Sequence, residues 1–262
     1  MTPSPPEDIV DDYLSTVDAE APGLVEGLYL VGSVALGDYR PGRSDIDFVA
    51  VTADRLDSAG AAALSRAQAR FNRSHRRPYV DGPYLTWRDL AKPPDQTGPV
   101  PYVHRRRFVP AGGFELNPVT WHTLAGHGIP RRGPAPDALD VWTDRAMLAG
   151  WTRENLHTYW PRWRDRSARL WSRPGLVSLG SWATQWGVMG VARQHCAIAT
   201  GDIISKTAAG YYALKAFDER WHRIARESLR LREGCGGRSG YRTPLSRRRD
   251  LFAFISMVID TA

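Results

Sequence analysis

The sequence predicts an α+β protein in which an N-terminal mixed sheet with helices is followed by an all-helical C-terminal domain. Residues 28–31 and 45–51 are mainly apolar runs with the length and composition of two buried strands. Residues 130–136, PRRGPAP, have the composition of a linker. Beyond this segment the strand-like runs disappear and Trp recurs at helical spacing. We therefore place the two domains at residues 1–137 and 138–262.

Composition narrows the classes of function. The chain has 262 residues, of which 42% are hydrophobic and 24% charged, as in globular proteins. It contains no run of 18 apolar residues, so we expect no transmembrane helix. Two cysteines, Cys196 and Cys235, are too few for a disulfide framework. The polar, acidic N-terminus lacks a signal-peptide core, so we expect a cytoplasmic protein without a membrane partner. The net charge of +7 favours an anionic partner, such as nucleotide phosphates or nucleic acid, over a cationic one.

Two carboxylates begin the second strand. Strand side chains alternate between faces, so Asp45 and Asp47 share one face and the apolar residues around them share the other. Paired carboxylates repel each other, and Mg²⁺ removes that cost by binding carboxylate and phosphate oxygens together. Upstream, Gly32-Ser33 offers a backbone turn and a hydroxyl that suit a phosphate. The alternative is a β-hairpin with both Asp side chains on a solvated face.

These residues resemble a known family. Gly32-Ser33, followed after eleven residues by Asp45-x-Asp47, resembles the G-S-x(n)-D-x-D signature of polymerase-β-type nucleotidyltransferases. More narrowly it resembles the aminoglycoside adenylyltransferases that modify streptomycin and spectinomycin, although the spacing is one residue longer than in that subfamily. The resemblance implies a polymerase-β-like mixed sheet, ATP as substrate, and Mg²⁺, as two ions, held by the carboxylates.

A third carboxylate is expected from the next strand. Residues 53–70 are Ala-rich and predict a helix, and residues 77–87 have strand composition with Asp81 as their one acid. The resemblance implies that Asp81 completes the metal site, acts as the catalytic base, or does both. The subfamily usually has Glu at this position. Because Pro83 follows closely, we expect an edge strand or a bulge, and a turn acid is the alternative.

The helical domain carries a candidate phosphate site. A helix over residues 178–200 places Arg193 on an apolar stripe, and Gly201 ends it. Ser205 can cap the next helix, which puts Lys206 in a first turn where the helix dipole disfavours a cation unless an anion is bound. Residues 200–206 also resemble the T-G-x-x-x-x-K segment of the adenylyltransferases. The resemblance implies that the ATP contacts are Gly32, Ser33, Ser44, Arg193 and Lys206. The alternative is a snorkelling Arg and an ordinary surface Lys.

Several connecting segments are also assigned. We expect a loose tail over residues 1–10, a helix through Ile9 and Val17, a loop over residues 92–101, and a charged run at 104–107 that is solvated or binds phosphate. Asn117 is expected to cap a short helix that begins at Pro118. A later helix is expected to be interrupted near Pro161, and the loop 234–240 to leave Cys235 exposed.

The predicted activity is transfer of AMP from ATP to a hydroxyl group, with release of pyrophosphate. The resemblance implies an aminoglycoside or aminocyclitol acceptor, for which Glu154, Asp165 and Trp side chains of the helical domain offer charge and cation–π contacts. However, Leu179 and Ala183 stand near the positions where the streptomycin and spectinomycin enzymes place the acids that hold the drug.

Two alternatives remain. A protein or RNA acceptor is one, although the helical domain lacks the pattern of a recognised RNA-binding module, so nucleic acid ranks behind a small molecule. A nucleotide-binding member without activity is the other. We expect a monomer.

Overall fold

The computed structural model describes residues 5–234 and 236–262 and divides into two compact units, Met1–Asp144 and Arg145–Ala262. The division falls later than the predicted boundary at residues 137/138. Residues 139–142 remain with the first unit because Leu139, Val141 and Trp142 pack on its core. The N–H of Trp142 also donates to the carbonyl oxygen of Leu90 at 2.8 Å.

The first unit is built on a mixed six-stranded sheet in the order β5-β4-β3-β2-β1-β6. The strands are β1 (Gly27–Val31), β2 (Ile46–Thr52), β3 (Val80–Thr86), β4 (Val100–His104), β5 (Arg107–Gly112) and β6 (Ile129–Arg132). β2 and β3 are parallel and the other neighbours are antiparallel. The predicted mixed sheet is therefore confirmed.

Both faces of this sheet are covered. The helices of the unit are α1 (Pro6–Glu20), α2 (Gly32–Ala35), α3 (Ser58–Ser74), α4 (Trp87–Leu90) and α5 (Pro118–His127). Apolar side chains of α1 and α3 form one core with Ile46, Phe48 and Ala50. Trp121 and Leu124 of α5 belong to a second core, which contains Val49 and Val51. The predicted alternation of β2 is confirmed, and Asp47 shares the face of the second core.

Some segments differ from the sequence expectations. β4 begins in the expected loop at residues 92–101, and β6 occupies part of the expected linker, as a polar edge strand paired with β1. α1 already begins at Pro6, so only residues 1–4 of the expected tail lie outside the described ranges. α3 begins at Ser58 rather than near residue 53, because the Asp57 side chain caps it by accepting from the N–H of Gly60 at 2.7 Å.

β3 is an interior strand, so the edge position expected from Pro83 is wrong. The sheet accommodates the missing N–H by pairing β3 with β4 only at Gly82↔Val103 and Pro83↔Tyr102. The backbone of β2 also lies unusually close at this point. A β-carbon on Gly82 would lie 2.1 Å from the carbonyl oxygen of Phe48. Only glycine fits this approach.

The second unit is helical, as predicted. Its helices are α6 (Arg145–Ala168), α7 (Arg173–Val177), α8 (Ser181–Thr200), α9 (Lys206–Ala216), α10 (His222–Glu233) and α11 (Pro244–Thr261). Pro161 lies within the continuous helix α6, so the expected interruption is wrong. Gly201 ends α8 at φ 77°, and the Ser205 hydroxyl caps α9 by accepting from the N–H of Ala208 at 3.1 Å, as expected. Cys235 lies outside the described residues.

Within the described ranges, no helix is both long and apolar enough to cross a lipid bilayer.

Candidate active site

Two of the predicted carboxylates lie side by side where β2 and β3 begin. Asp47 and Asp81 are register partners in the parallel pair, and partners in neighbouring strands share a face. Asp45 precedes β2 by one residue and lies near enough to Asp81 for its negative charge to raise the pKa of that carboxyl group. The Asp45 side chain is 40% exposed, and its Oδ1 lies 3.9 Å from a guanidinium nitrogen of Arg77.

Gly32 lies directly against Asp47. β1 and β2 place Val31 opposite Asp47, and the chain turns into α2 at the next residue. Gly32 has φ 59°, and a β-carbon there would lie 2.2 Å from Oδ2 of Asp47. Glycine is therefore required at position 32 for two reasons, the left-handed backbone and the space that the carboxylate occupies. The predicted G-S and D-x-D segments are brought together by this contact.

Ser33 and Ser44 lie at the two ends of the connection between β1 and β2. Ser33 belongs to α2, and its carbonyl oxygen accepts from the N–H of Asp38 at 2.9 Å. The Ser44 hydroxyl accepts from the N–H of Arg40 at 3.0 Å and closes the loop before Asp45. Both side chains are half-buried. Their contact with a nucleotide stays a prediction.

Asp81 is buried and held by two neighbours. It is 4% exposed. Its Oδ1 accepts from the backbone N–H of Arg105 at 2.8 Å, and its Oδ2 lies 3.2 Å from Nδ1 of His104. Burial raises the pKa of Asp81 to about 6, while the Arg105 hydrogen bond and the His104 charge act in the opposite direction. Asp81 lies within β3, so the alternative of a turn acid is wrong.

His104 and Arg105 are the site residues that sequence reasoning missed. The charged run at 104–107 is the turn between β4 and β5, in which Arg105 and Arg106 have φ 45° and 70°. Two consecutive positive φ values are typical of a two-residue hairpin turn, where Asn and Gly are the usual residues. The signal in the sequence is the pair of strand-like runs around Arg105-Arg106. The two turn residues are both Arg instead of the usual Asn and Gly, so composition does not indicate the turn.

Asp45 and Asp47 carry the oxygen ligands that suit Mg²⁺. Among the described residues, no group of three or more His, Cys, Asp or Glu side chains is arranged to hold a metal ion. The Asp81 carboxylate faces Arg105 and His104, and its predicted part in the metal site stays a prediction. Mg²⁺ is usually bound through one or two carboxylates, with water and substrate phosphates completing its shell. Asp45 and Asp47 fit that donor set.

The predicted phosphate-binding residues Arg193 and Lys206 lie in the helical unit. Arg193 is half-buried on α8, and Lys206 is the first residue of α9. The Lys206 ammonium lies 5.7 Å from the ring centroid of Trp186, which stacks on the partly exposed Trp182 at 5.6 Å. The expected anion at this helix end stays a prediction.

The predicted acceptor residues of the helical unit differ in their surroundings. Glu154 is exposed on α6. Asp165 forms an ion pair with Arg164 at 3.1 Å, so part of its charge is balanced locally. Their contact with a polycation also stays a prediction.

Residues 11–95 match the family model described as a nucleotidyltransferase domain. Residues 11–95 of the first unit are therefore similar to a nucleotidyltransferase domain. The match includes Gly32, Ser33 and all three carboxylates, and it confirms both the resemblance and the expectation of an enzyme of this class.

The first unit and the helical unit together also have a structural relative. The chain is similar in fold to spectinomycin adenyltransferase AAD(9) from Enterococcus faecialis, whose crystal structure contains ATP and spectinomycin. The TM-score is 0.65 at 11% sequence identity, over 95% of this chain and 98% of that chain. The predicted α+β fold is thereby confirmed. No protein of curated function matches the chain by sequence.

Proposed function

We propose that this protein is a Mg²⁺-dependent nucleotidyltransferase that moves AMP from ATP to a hydroxyl group of an aminoglycoside or aminocyclitol and releases pyrophosphate. The observation that carries the proposal is the pairing of Asp47 with Asp81 beside Gly32. Asp81 is buried and Asp47 is half-buried. Adjacent carboxylates withdrawn from water are costly to maintain, so their presence beside a close-approach glycine favours a catalytic role over a structural one.

Asp81 is proposed to be the general base. It takes the proton of the acceptor hydroxyl, whose oxygen forms a bond to the α-phosphorus while the bond from that phosphorus to the pyrophosphate oxygen breaks. A base is most effective when its pKa lies near the working pH, and burial raises the pKa of Asp81 to about 6. Its hydrogen bond from Arg105 orients the carboxylate for this role.

Asp45 and Asp47 are proposed to hold Mg²⁺. Bound there, the metal neutralises phosphate charge as it develops and orients the reacting groups. Gly32 lets the Asp47 carboxylate approach the turn of α2, where Ser33 can meet a phosphate oxygen. For Ser33, Ser44, Arg193 and Lys206, the proposal of ATP contacts rests on the family resemblance.

The acceptor is the least constrained part of the proposal. An aminoglycoside is supported by the fold relative, which was crystallised with spectinomycin, and by the exposed Trp182 and Glu154 of the helical unit. Against it stand the net charge of +7 and the apolar Leu179 and Ala183. That charge favours an anionic acceptor such as RNA as the second candidate.

The test is incubation with ATP, Mg²⁺ and a panel of aminoglycosides and aminocyclitols, with pyrophosphate release and the mass of an AMP adduct as readouts. Acceptor-dependent release that Asp47→Asn abolishes supports the proposal. ATP binding without release on this panel moves the search to RNA and protein hydroxyls. Binding without turnover on any acceptor contradicts the enzyme and indicates an inactive nucleotide-binding protein.

A further inference from the structure

We propose that His104 is a positioning residue for Asp81, held in place by the β4–β5 turn. The inference rests on the proposed function, because it assumes that Asp81 receives the acceptor proton. Its basis is the division of the two carboxylate oxygens between two neighbours on the same turn. Oδ1 accepts from the N–H of Arg105 at 2.8 Å, and Oδ2 lies 3.2 Å from Nδ1 of His104. The Arg105 hydrogen bond holds one oxygen, and the buried His104 nitrogen, which is not aligned for a hydrogen bond, packs against the other. Contacts at both oxygens restrict rotation of the carboxylate.

The turn that presents these two partners is braced from behind. The Asn72 side chain, at the end of α3, donates to the carbonyl oxygen of Arg106 at 2.8 Å. The Arg106 guanidinium donates in return to the carbonyl oxygen of Asn72 at 2.7 Å. Gln68, one turn earlier on α3, donates to Oδ1 of Asn72 at 2.9 Å. The turn is therefore anchored to a helix of the core.

The backbone of the turn is strained, and the turn contains no glycine that would relieve the strain. Arg105 and Arg106 both adopt positive φ, a region that non-glycine residues rarely occupy. Strained backbone persists where surrounding structure determines it, and it is enriched at functional sites. In this conformation the N–H of Arg105 points at Asp81, so the strained turn supplies one of the two contacts that hold the carboxylate.

The His104 imidazole is itself held by an aromatic neighbour. Its ring lies 4.5 Å, centroid to centroid, from the ring of Phe114, which follows β5. The imidazole thus has Phe114 and the Asp81 carboxylate as neighbours, while 41% of its side chain stays exposed. Preorganised support of this kind keeps a catalytic group within the narrow geometry that reaction requires.

The experiment compares His104→Leu with His104→Asn. Leu preserves bulk but removes the nitrogen, whereas the Asn amide places a nitrogen near the position of Nδ1. We expect His104→Leu to lower kcat by about 10- to 100-fold, the size of effect that small misplacements of catalytic groups produce. The KM for ATP should stay within about twofold, and His104→Asn should recover most of the lost kcat.

His75→Leu is the matched control. His75 also contacts an aspartate, with Nε2 3.5 Å from Oδ2 of Asp12, and it also has a Phe neighbour, since it stacks on the ring of Phe71 at 4.2 Å. It directly follows α3, whereas His104 ends β4 beside Asp81. Its replacement should leave kcat unchanged, which separates positioning of Asp81 from the general loss of a histidine–aspartate contact.

A second readout does not require turnover. If His104 orients the carboxylate, His104→Leu should weaken the Arg105 hydrogen bond and speed hydrogen exchange of the Arg105 amide at least about tenfold, as local opening becomes easier. His104→Asn should not. Unchanged exchange in His104→Leu, or unchanged kcat, overturns the inference. Faster exchange in a protein that transfers AMP to no acceptor rejects the proposed function and supports the positioning contact.

Discussion

The Asp47 carboxylate fills the space that a β-carbon on residue 32 would need, so only glycine fits at position 32. A β-carbon on Gly32 would lie 2.2 Å from Oδ2 and 2.9 Å from Cγ of Asp47. The proposed phosphate-binding turn therefore packs directly against the carboxylate that is proposed to hold Mg²⁺, and a change in one displaces the other.

Gly32→Ala should abolish activity, because the methyl group must displace the Asp47 carboxylate and a positive φ is unfavourable for alanine. We expect a loss of at least about 100-fold in kcat, as for misplacement of a catalytic group. Pyrophosphate release measures it.

Gly23→Ala is the control for the backbone effect alone. Gly23 has φ 73°, similar to that of Gly32, but a β-carbon there would meet no other side chain or backbone atom within 4 Å. It should lose stability by about 1 kcal/mol without losing kcat. Equal losses of kcat in the two variants would contradict the steric explanation.

Asp81→Asn should be inactive yet more stable than the parent protein at neutral pH. Burial raises the pKa of Asp81 from 3.8 to about 6, so the folded state binds more protons than the unfolded state between these values. Stability due to this group therefore falls as pH rises from about 4 to about 6. Asparagine removes the buried charge and should gain about 1–3 kcal/mol at pH 7. Thermal unfolding against pH measures it.

Asp89→Asn should have the opposite effect. Although burial opposes ionisation, hydrogen bonds from Thr86 and Lys92 hold the pKa of Asp89 below its usual range. Arg55 adds an ion pair at 2.8 Å. The Asp89→Asn replacement should lower the free energy of unfolding by about 1–3 kcal/mol above about pH 4. The loss should shrink as pH falls through the pKa of Asp89 in the folded protein. If Asp89→Asn stabilised the protein, or Asp81→Asn destabilised it at pH 7, then the ionised carboxylates would not have the opposite effects on stability that their pKa shifts indicate.

Tyr13 and Tyr84 should show strong energetic coupling. Their hydroxyl groups form a hydrogen bond to each other inside the core, and both side chains are at most 2% exposed. Either single Tyr→Phe change leaves one buried hydroxyl without its partner, at a cost of about 1–3 kcal/mol. The double variant should be no less stable than either single variant.

A double-mutant cycle from denaturant unfolding measures this coupling. Tyr159→Phe, at a 40% exposed position of the helical unit, is the control and should change stability little. Additive losses from the two single variants would show that the hydroxyl pair does not act as a unit.

Lys206→Gln should raise the KM for ATP by about tenfold with a smaller effect on kcat, since it removes one of the proposed charge-assisted phosphate contacts. Lys215→Gln, an exposed lysine in the last turn of the same helix, is the matched control. Isothermal titration with a non-hydrolysable ATP analogue distinguishes the two. Equal affinity of both variants and the parent protein would remove Lys206 from the nucleotide site.

Sequence reasoning recovered the part of the site that depends on local patterns. Alternation along β2 correctly placed Asp45 and Asp47 away from Phe48, and Gly32-Ser33 correctly indicated a turn, which the structure shows with a positive φ at Gly32. The caps at Asn117 and Ser205 and the stop at Gly201 were predicted because capping depends on residues only a few positions apart.

Pairing between distant segments was not recovered. Pro83 favoured an edge strand, yet β4 and β5 lie outside β3, because the cost of one missing N–H is smaller than the gain from burying the strand. The hairpin itself was missed because Arg105 and Arg106 occupy a turn that usually selects Asn and Gly.

The sequence by itself therefore determined the two-part α+β organisation, the strand at whose start Asp45 and Asp47 lie, and the turn at Gly32-Ser33. Only the tertiary structure decided that Asp81 lies beside Asp47 and is held by His104 and Arg105. The physical reason is range. Periodicity and capping act over a few residues, whereas strand register and the burial that raises the pKa of Asp81 depend on which distant segments pack together.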